Sequence, residues 1–256
     1  MLTLPVSFLV SGLIVTLLNI GQIWLIYILQ FAINLLFVEL GLWMFKEKSI
    51  LKTVLSKFSL KRYYLGASTG FVFIVLSQIY SVFFDQKLLF LNNLSYVVIF
   101  GLVFLLQTFV EEVIFRKFLI DQFQILFKGK NILTAVFAGF VFALVHLVSN
   151  DILIDIFNLF LFGTFLGLVY IHIESRLPDE AIWWTSGFHF AWNFTYFLLG
   201  IQFSNQSAPE ESLGSFEIMH ILGNQTSFWV DKIAITAILS FGIWWILTRK
   251  EVFKKN

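Results

Sequence analysis

The sequence predicts an all-α, polytopic integral membrane protein of about eight transmembrane helices enclosing an intramembrane polar cavity. Three observations predict it. Hydrophobic residues make up 59% of the 256 and charged residues only 13%, about half the charged share of a soluble domain. The apolar residues fall in stretches near the ~20 residues that span a bilayer. Several of these stretches carry ionisable groups at mid-depth, foremost Glu111 and Glu112 in the segment Gln107-Thr-Phe-Val-Glu111-Glu112-Val-Ile-Phe-Arg116.

The elements follow in order. The first 45 residues are almost wholly apolar, too long for one span, and divide near Asn19-Ile-Gly21-Gln22. The expected spans are 3–19 and 23–45. With no lysine or arginine before Lys46 and no small-residue cleavage site, the N-terminus reads as a first span and not as a removable signal peptide. A basic stretch (Lys46, Lys48, Lys52, Lys57, Lys61, Arg62) precedes a third span at about 63–84. The fourth begins near 95 and carries the glutamates. It forms a hairpin with the fifth, 131–148, around Lys128-Gly129-Lys130. The sixth covers 152–173, the seventh 180–200 and the eighth 228–247, with a polar loop at 202–227. The chain reads as a single membrane domain, 1–256, with its motif-bearing core at 95–200.

All lysines and arginines except Lys87 and Lys232 fall in segments that eight spans place on one face. The positive-inside rule makes that face, and both termini, cytoplasmic. A net charge of +1 shows no nucleic-acid footprint. The absence of cysteine removes disulfides, thiolate metal sites and a cysteine nucleophile. The bilayer is the expected partner.

An acidic side chain at mid-membrane costs about 2.5–3.5 kcal/mol, so the pair costs roughly 5–7 kcal/mol. Glu112 and Arg116 are four apart and share a helix face, which favours an ion pair. Glu111 is turned about 100° away and is left as the carboxylate for chemistry. Counted from the hairpin turn at ~1.5 Å per residue, Glu111 and His146 reach the same depth, roughly 22–24 Å. Ala135, Gly139 and Ala143 form a small-residue stripe leading to His146. His189 and Asn193 share a face of the seventh span, among Trp183, Trp184 and Trp192. A Glu, two His and an Asn converging between three helices can deprotonate a water, stabilise an oxyanion, or hold a metal.

The segments Glu111-Glu112-xxx-Arg116, Phe142-xxx-His146 and His189-xxx-Asn193 resemble the three motifs of the CPBP intramembrane proteases, the Abi group related to the type II CAAX prenyl endopeptidases. The resemblance covers roughly 95–200. It implies an intramembrane endopeptidase acting on a membrane-associated peptide or protein substrate, in which Glu111 and His146 activate water while His189 and Asn193 hold the oxyanion. Glu112, Arg116 and Phe142 then support the site. Lys117 stands where a glycine often follows the arginine, and Phe188 precedes His189 where many members have tryptophan. The resemblance leans towards a glutamate-dependent site with no cofactor. A zinc site on Glu111, His146 and His189 is the second expectation, since His₂Glu is a common catalytic ligand set, although no H-E-x-x-H occurs.

Blander readings compete. The glutamates could form a packing ion network with Arg116, and one histidine in a helix is often an interior hydrogen-bonding residue. As whole-chain alternatives, a non-catalytic membrane scaffold or regulator would use the same residues for binding, and a transporter would line a path with them. Against the transporter, no inverted repeat or Gly/Pro-broken helix pair shows.

Overall fold

The computed structural model describes residues 23–84, 94–149, 153–198 and 225–249. Their regular structure is entirely helical: α1 (Ile23–Met44), a short α2 (Ile50–Ser56), α3 (Leu60–Phe84), α4 (Leu94–Glu112), α5 (Leu119–Leu126), α6 (Asn131–Val145), α7 (Leu153–Glu174), α8 (Ala181–Leu198) and α9 (Gln225–Thr248). A π-helical segment, Val113–Phe118, joins α4 to α5, and a 3₁₀ turn, His146–Ser149, follows α6. The expected span 3–19, its boundary with the next span, Lys87, residues 202–224 of the expected 202–227 loop, with His220, and both termini lie outside the described residues, while 225–227 already belong to α9.

Helices stand where the apolar stretches predict them. Four are long and apolar enough to cross a membrane: Trp24–Met44, Val97–Leu126, Leu153–Glu174 and Trp229–Thr248. Three other expected spans are helical without meeting that measure. The 15 residues of α6 extend only about 22 Å, short of a ~30 Å hydrocarbon core. Along α8, Thr185, Ser186, His189, Asn193 and Thr195 dilute the apolar character, and α3 carries Lys61, Arg62, Ser77 and Gln78.

The burial pattern is that of a membrane bundle. Large apolar side chains face outward, among them Leu36, Phe71, Leu102, Phe140, Ile233 and Phe241, while Asn34, Gln78, Glu111, Glu112, Arg116 and His189 are buried. A soluble monomer rarely exposes so much contiguous apolar surface, whereas lipid tails solvate it. The apolar helices and this distribution identify an integral membrane protein.

Two close helix pairs frame the interior. α6 lies along α7 and α3 along α8. The predicted small-residue stripe explains the first: a Cβ on Gly163 would come within 2.8 Å of Gly139 Cα, so the two backbones are in contact. In the second, Gly187 of α8 packs directly on the Tyr63 carbonyl of α3. α4 then sits between α8 and α1, and α9 closes against α7 and α3.

Turns and ion pairs fix the ends. The α5–α6 hairpin turns through Lys128 (φ 52°) and Gly129 (φ 73°), and the Gly129 amide donates to the Gln124 carbonyl at 2.8 Å, a Schellman-type closure. Glu39 reaches the basic loop as a snorkelling side chain would: its Oε1 accepts from the Leu51 amide at 2.7 Å, in the first turn of α2. Lys117, unusual at its motif position, is an anchor. Its ammonium lies 3.0 Å from Glu174 and 2.9 Å from Asp179, tying the α4–α5 helix to the end of α7 and the turn into α8. Asp155 pairs with Lys232 at 2.6 Å, joining α7 to α9.

Candidate active site

The last turn of α4 brings Glu111 and Glu112 into the interior, 4% and 0% exposed. Burying two carboxylates requires charge partners and hydrogen-bond donors. α4 itself supplies one set. Arg116 Nε lies 3.1 Å from Glu112 Oε2, with both side chains fully buried, as the i,i+4 spacing predicts. The Arg116 guanidinium also lies over the Phe142 ring, 5.0 Å from its centroid.

α8 supplies the other set. His189 Nδ1 lies 2.9 Å from Glu112 Oε1. An ionised carboxylate only accepts, so Nδ1 carries the donated proton. The same ring turns Nε2 towards Glu111, 3.7 Å from its Oε2. On the far side, the Gln107 amide donates to Glu111 Oε1 at 2.9 Å. The order of groups is therefore Arg116, Glu112, His189, Glu111, Gln107. One imidazole stands between two carboxylates, each held at its outer oxygen.

His146 reaches this set through Phe142. It ends α6, with its Nδ1 2.7 Å from the Phe142 carbonyl oxygen. A carbonyl cannot donate, so Nδ1 bears the proton and the neutral ring has its acceptor lone pair on Nε2. The Phe142 ring is 4.5 Å from the His146 ring and 6.0 Å from the His189 ring, centroid to centroid. Phe142 thus packs against both histidines and Arg116. Phe162 closes the other side of His189 at 5.0 Å. Tyr27, on α1, lies within electrostatic reach of Glu111.

Of the residues singled out from the sequence, Glu111, Glu112, Arg116, Phe142, His146 and His189 form one contiguous group. Asn193 stands one turn beyond His189 on α8, half-buried, and is not a member of the polar chain. Two features escaped the sequence reading. One is Gln107, whose signal was its position one helical turn before Glu111 on the same face. The other is the π-helical segment beginning at Val113, immediately after the glutamates. Such segments are rare and recur at functional sites. Here Glu111 and Glu112 close the regular α-helix while Arg116 lies within the wider turn.

The donor set is arranged poorly for a metal. Among the described residues, no three His, Asp or Glu side chains gather as metal ligands. His189 presents Nδ1 to Glu112 and Nε2 to Glu111, so a zinc ion would have to displace one of these contacts.

Residues 93–195 match the family model described as type II CAAX prenyl endopeptidase Rce1-like. No curated protein and no solved structure matches the chain. The matched segment runs from the start of α4 into α8 and contains the whole polar chain, together with Phe142, His146 and Asn193. α1, α3 and α9 lie outside it. The segment that bears the buried glutamates and histidines is thus similar to the Rce1-like type II CAAX prenyl endopeptidases.

Proposed function

We propose that the protein is an intramembrane endopeptidase that hydrolyses a peptide bond of a membrane-associated peptide or protein, with Glu111 as the base. The observation that carries this reading is the meeting of Glu111 and His189 inside the family-matched segment, 3.7 Å apart and 4% and 3% exposed. Two carboxylates and an imidazole are costly at such burial, and ionisable groups held inside a membrane protein commonly mark a functional site.

In this reading a water enters between α4, α6 and α8. Glu111 takes one of its protons while the water oxygen attacks the scissile carbonyl carbon, and His146 orients the water through Nε2. The carbonyl electron pair moves onto oxygen. His189, when protonated at Nε2, and the Asn193 amide donate to that oxyanion. Glu112 fixes the His189 ring by its Nδ1–H, and Arg116 balances the charge of Glu112. Collapse of the tetrahedral intermediate breaks the C–N bond, and the proton held by Glu111 passes to the leaving amine. No metal is required, and the charge sequence along the chain supports that. The basic face, with both termini, is cytoplasmic, and eight spans surround the site.

The test is turnover of quenched fluorogenic peptides, with and without a prenylated C-terminal tail, by purified protein in detergent. Glu111→Gln keeps the size of the side chain but cannot accept a proton at neutral pH. It should abolish turnover in a folded, inserted protein, and wild-type rates in this variant would refute the assignment. Proteomic comparison of membranes carrying wild-type protein or Glu111→Ala then identifies the substrate.

A further inference from the structure

We infer that Gln107 is a positioning residue for Glu111, holding the carboxylate by one oxygen so that the other faces His189; this rests on the catalytic reading of Glu111. The Gln107 amide donates to Oε1 at 2.9 Å, and Oε2 is the atom 3.7 Å from His189 Nε2. The division of labour between the two oxygens is therefore set by Gln107.

A competitor for that carboxylate is present. Arg116 is fully buried and within electrostatic reach of Glu111 as well as Glu112. A carboxylate at 4% exposure finds few waters to hold it against this pull. If Glu111 turned towards the guanidinium, the base would leave the water it must deprotonate. A neutral amide opposes that turn without adding a charge that would itself form a salt bridge with Glu111. The backbone makes the contact possible. Gln107 and Glu111 both lie in the regular part of α4, where residues four apart stack on one face, and the π segment starts only at Val113. Arg116 lies beyond that change in helical register.

The experiment compares wild type, Glu111→Gln, Gln107→Met and Gln107→Leu as full-length protein in detergent, with the same quenched peptides. Met keeps the length of the side chain and donates nothing, and Leu at 107 neither donates nor adds a charge beside Glu111. Both variants should lose about 10- to 100-fold in kcat, the scale of a small misplacement of a catalytic group, with KM and the thermal transition near wild type. Combined with Glu111→Gln, Gln107→Met should cause no further loss, because its effect passes through Glu111. The infrared carboxylate band that vanishes in Glu111→Gln should shift in Gln107→Met, a readout that needs no substrate. Wild-type kcat and an unshifted band in both Gln107 variants, with Glu111→Gln inactive, would overturn the inference and leave the catalytic reading standing. A rate loss that only follows a lowered thermal transition in both would overturn it too, since Gln107 would then be structural. Full activity of Glu111→Gln would instead remove the catalytic reading itself. If Gln107→Met does not fold, Gln107→Leu decides by the same criteria.

Discussion

His189 Nδ1 lies 2.9 Å from Glu112 Oε1 while the other oxygen of that carboxylate faces Arg116 at 3.1 Å, so Glu112 joins α8 to the end of α4. The glutamate that sequence spacing assigns to a salt bridge is also the group that orients the proposed oxyanion donor. A carboxylate behind an imidazole fixes both the tautomer and the direction of the distal nitrogen, which here points at Glu111. Glu111 and Glu112 thus act on opposite nitrogens of one ring.

Removing Arg116 should damage the fold more than altering Glu111. Arg116 and Glu112 are both fully buried, and deleting one partner strands the other charge, at about 3–5 kcal/mol. Glu111→Gln is nearly isosteric and strands no charge. Arg116→Ala should therefore lower the thermal transition and yield in detergent well below Glu111→Gln. Equal transitions for the two variants would show that the buried pair does not hold the helices.

Much of this site is legible in the sequence, and the limits are specific. Glu112–Arg116 follows from helical spacing alone, and His146 follows from the symmetry of a hairpin about Lys128-Gly129. The His189–Glu112 bond does not follow, because it depends on how α8 is rotated and slid against α4. That register is set by non-local contacts, such as Gly187 on the backbone of α3. The π segment has no signature in Val-Ile-Phe-Arg-Lys-Phe, and nothing local separates it from α-helix. Of the eight expected spans, four among the described residues are long and apolar enough to cross a membrane, and the shortfall has a physical reason. Helices lining a polar interior, such as α8, lose the hydropathy by which spans are counted.

Packing supplies a second prediction. Gly187 places the α8 backbone on the Tyr63 carbonyl, and an added Cβ would also stand 3.0 Å from the Ala67 amide nitrogen. Neither neighbour is a flexible side-chain tip, so the helices must separate. Gly187→Ala should destabilise the protein by about 1–3 kcal/mol through overpacking. Because His189 is two residues away, activity should fall as well. An unchanged thermal transition would mean that α3 and α8 do not pack this closely in the bilayer.

The proposed orientation is tested with introduced cysteines, since the chain has none of its own. Lys128 sits in the α5–α6 turn on the basic face, while Ser212 belongs to the polar loop assigned to the opposite side by charge distribution. On intact cells a membrane-impermeant maleimide should label Ser212→Cys and not Lys128→Cys. The opposite pattern would reverse the topology and place both termini outside.

The last prediction concerns metal. Ligand type alone would allow zinc on Glu111, His146 and His189, because catalytic zinc commonly takes three protein ligands and a water. The contacts of those residues argue for different work. His189 has Nδ1 on Glu112 and Nε2 facing Glu111, and Gln107 occupies the remaining oxygen of Glu111. Zinc binding would have to break at least one of these contacts and would add two positive charges beside the buried Arg116. A base and neutral or protonated donors, in contrast, use the groups as they stand. Activity should therefore persist after exhaustive chelation and dialysis, and elemental analysis should show no stoichiometric zinc. Loss of activity on chelation, restored by about one equivalent of a single divalent metal, would make Glu111 and the histidines ligands, and the proton-transfer role of Glu111 would have to be withdrawn.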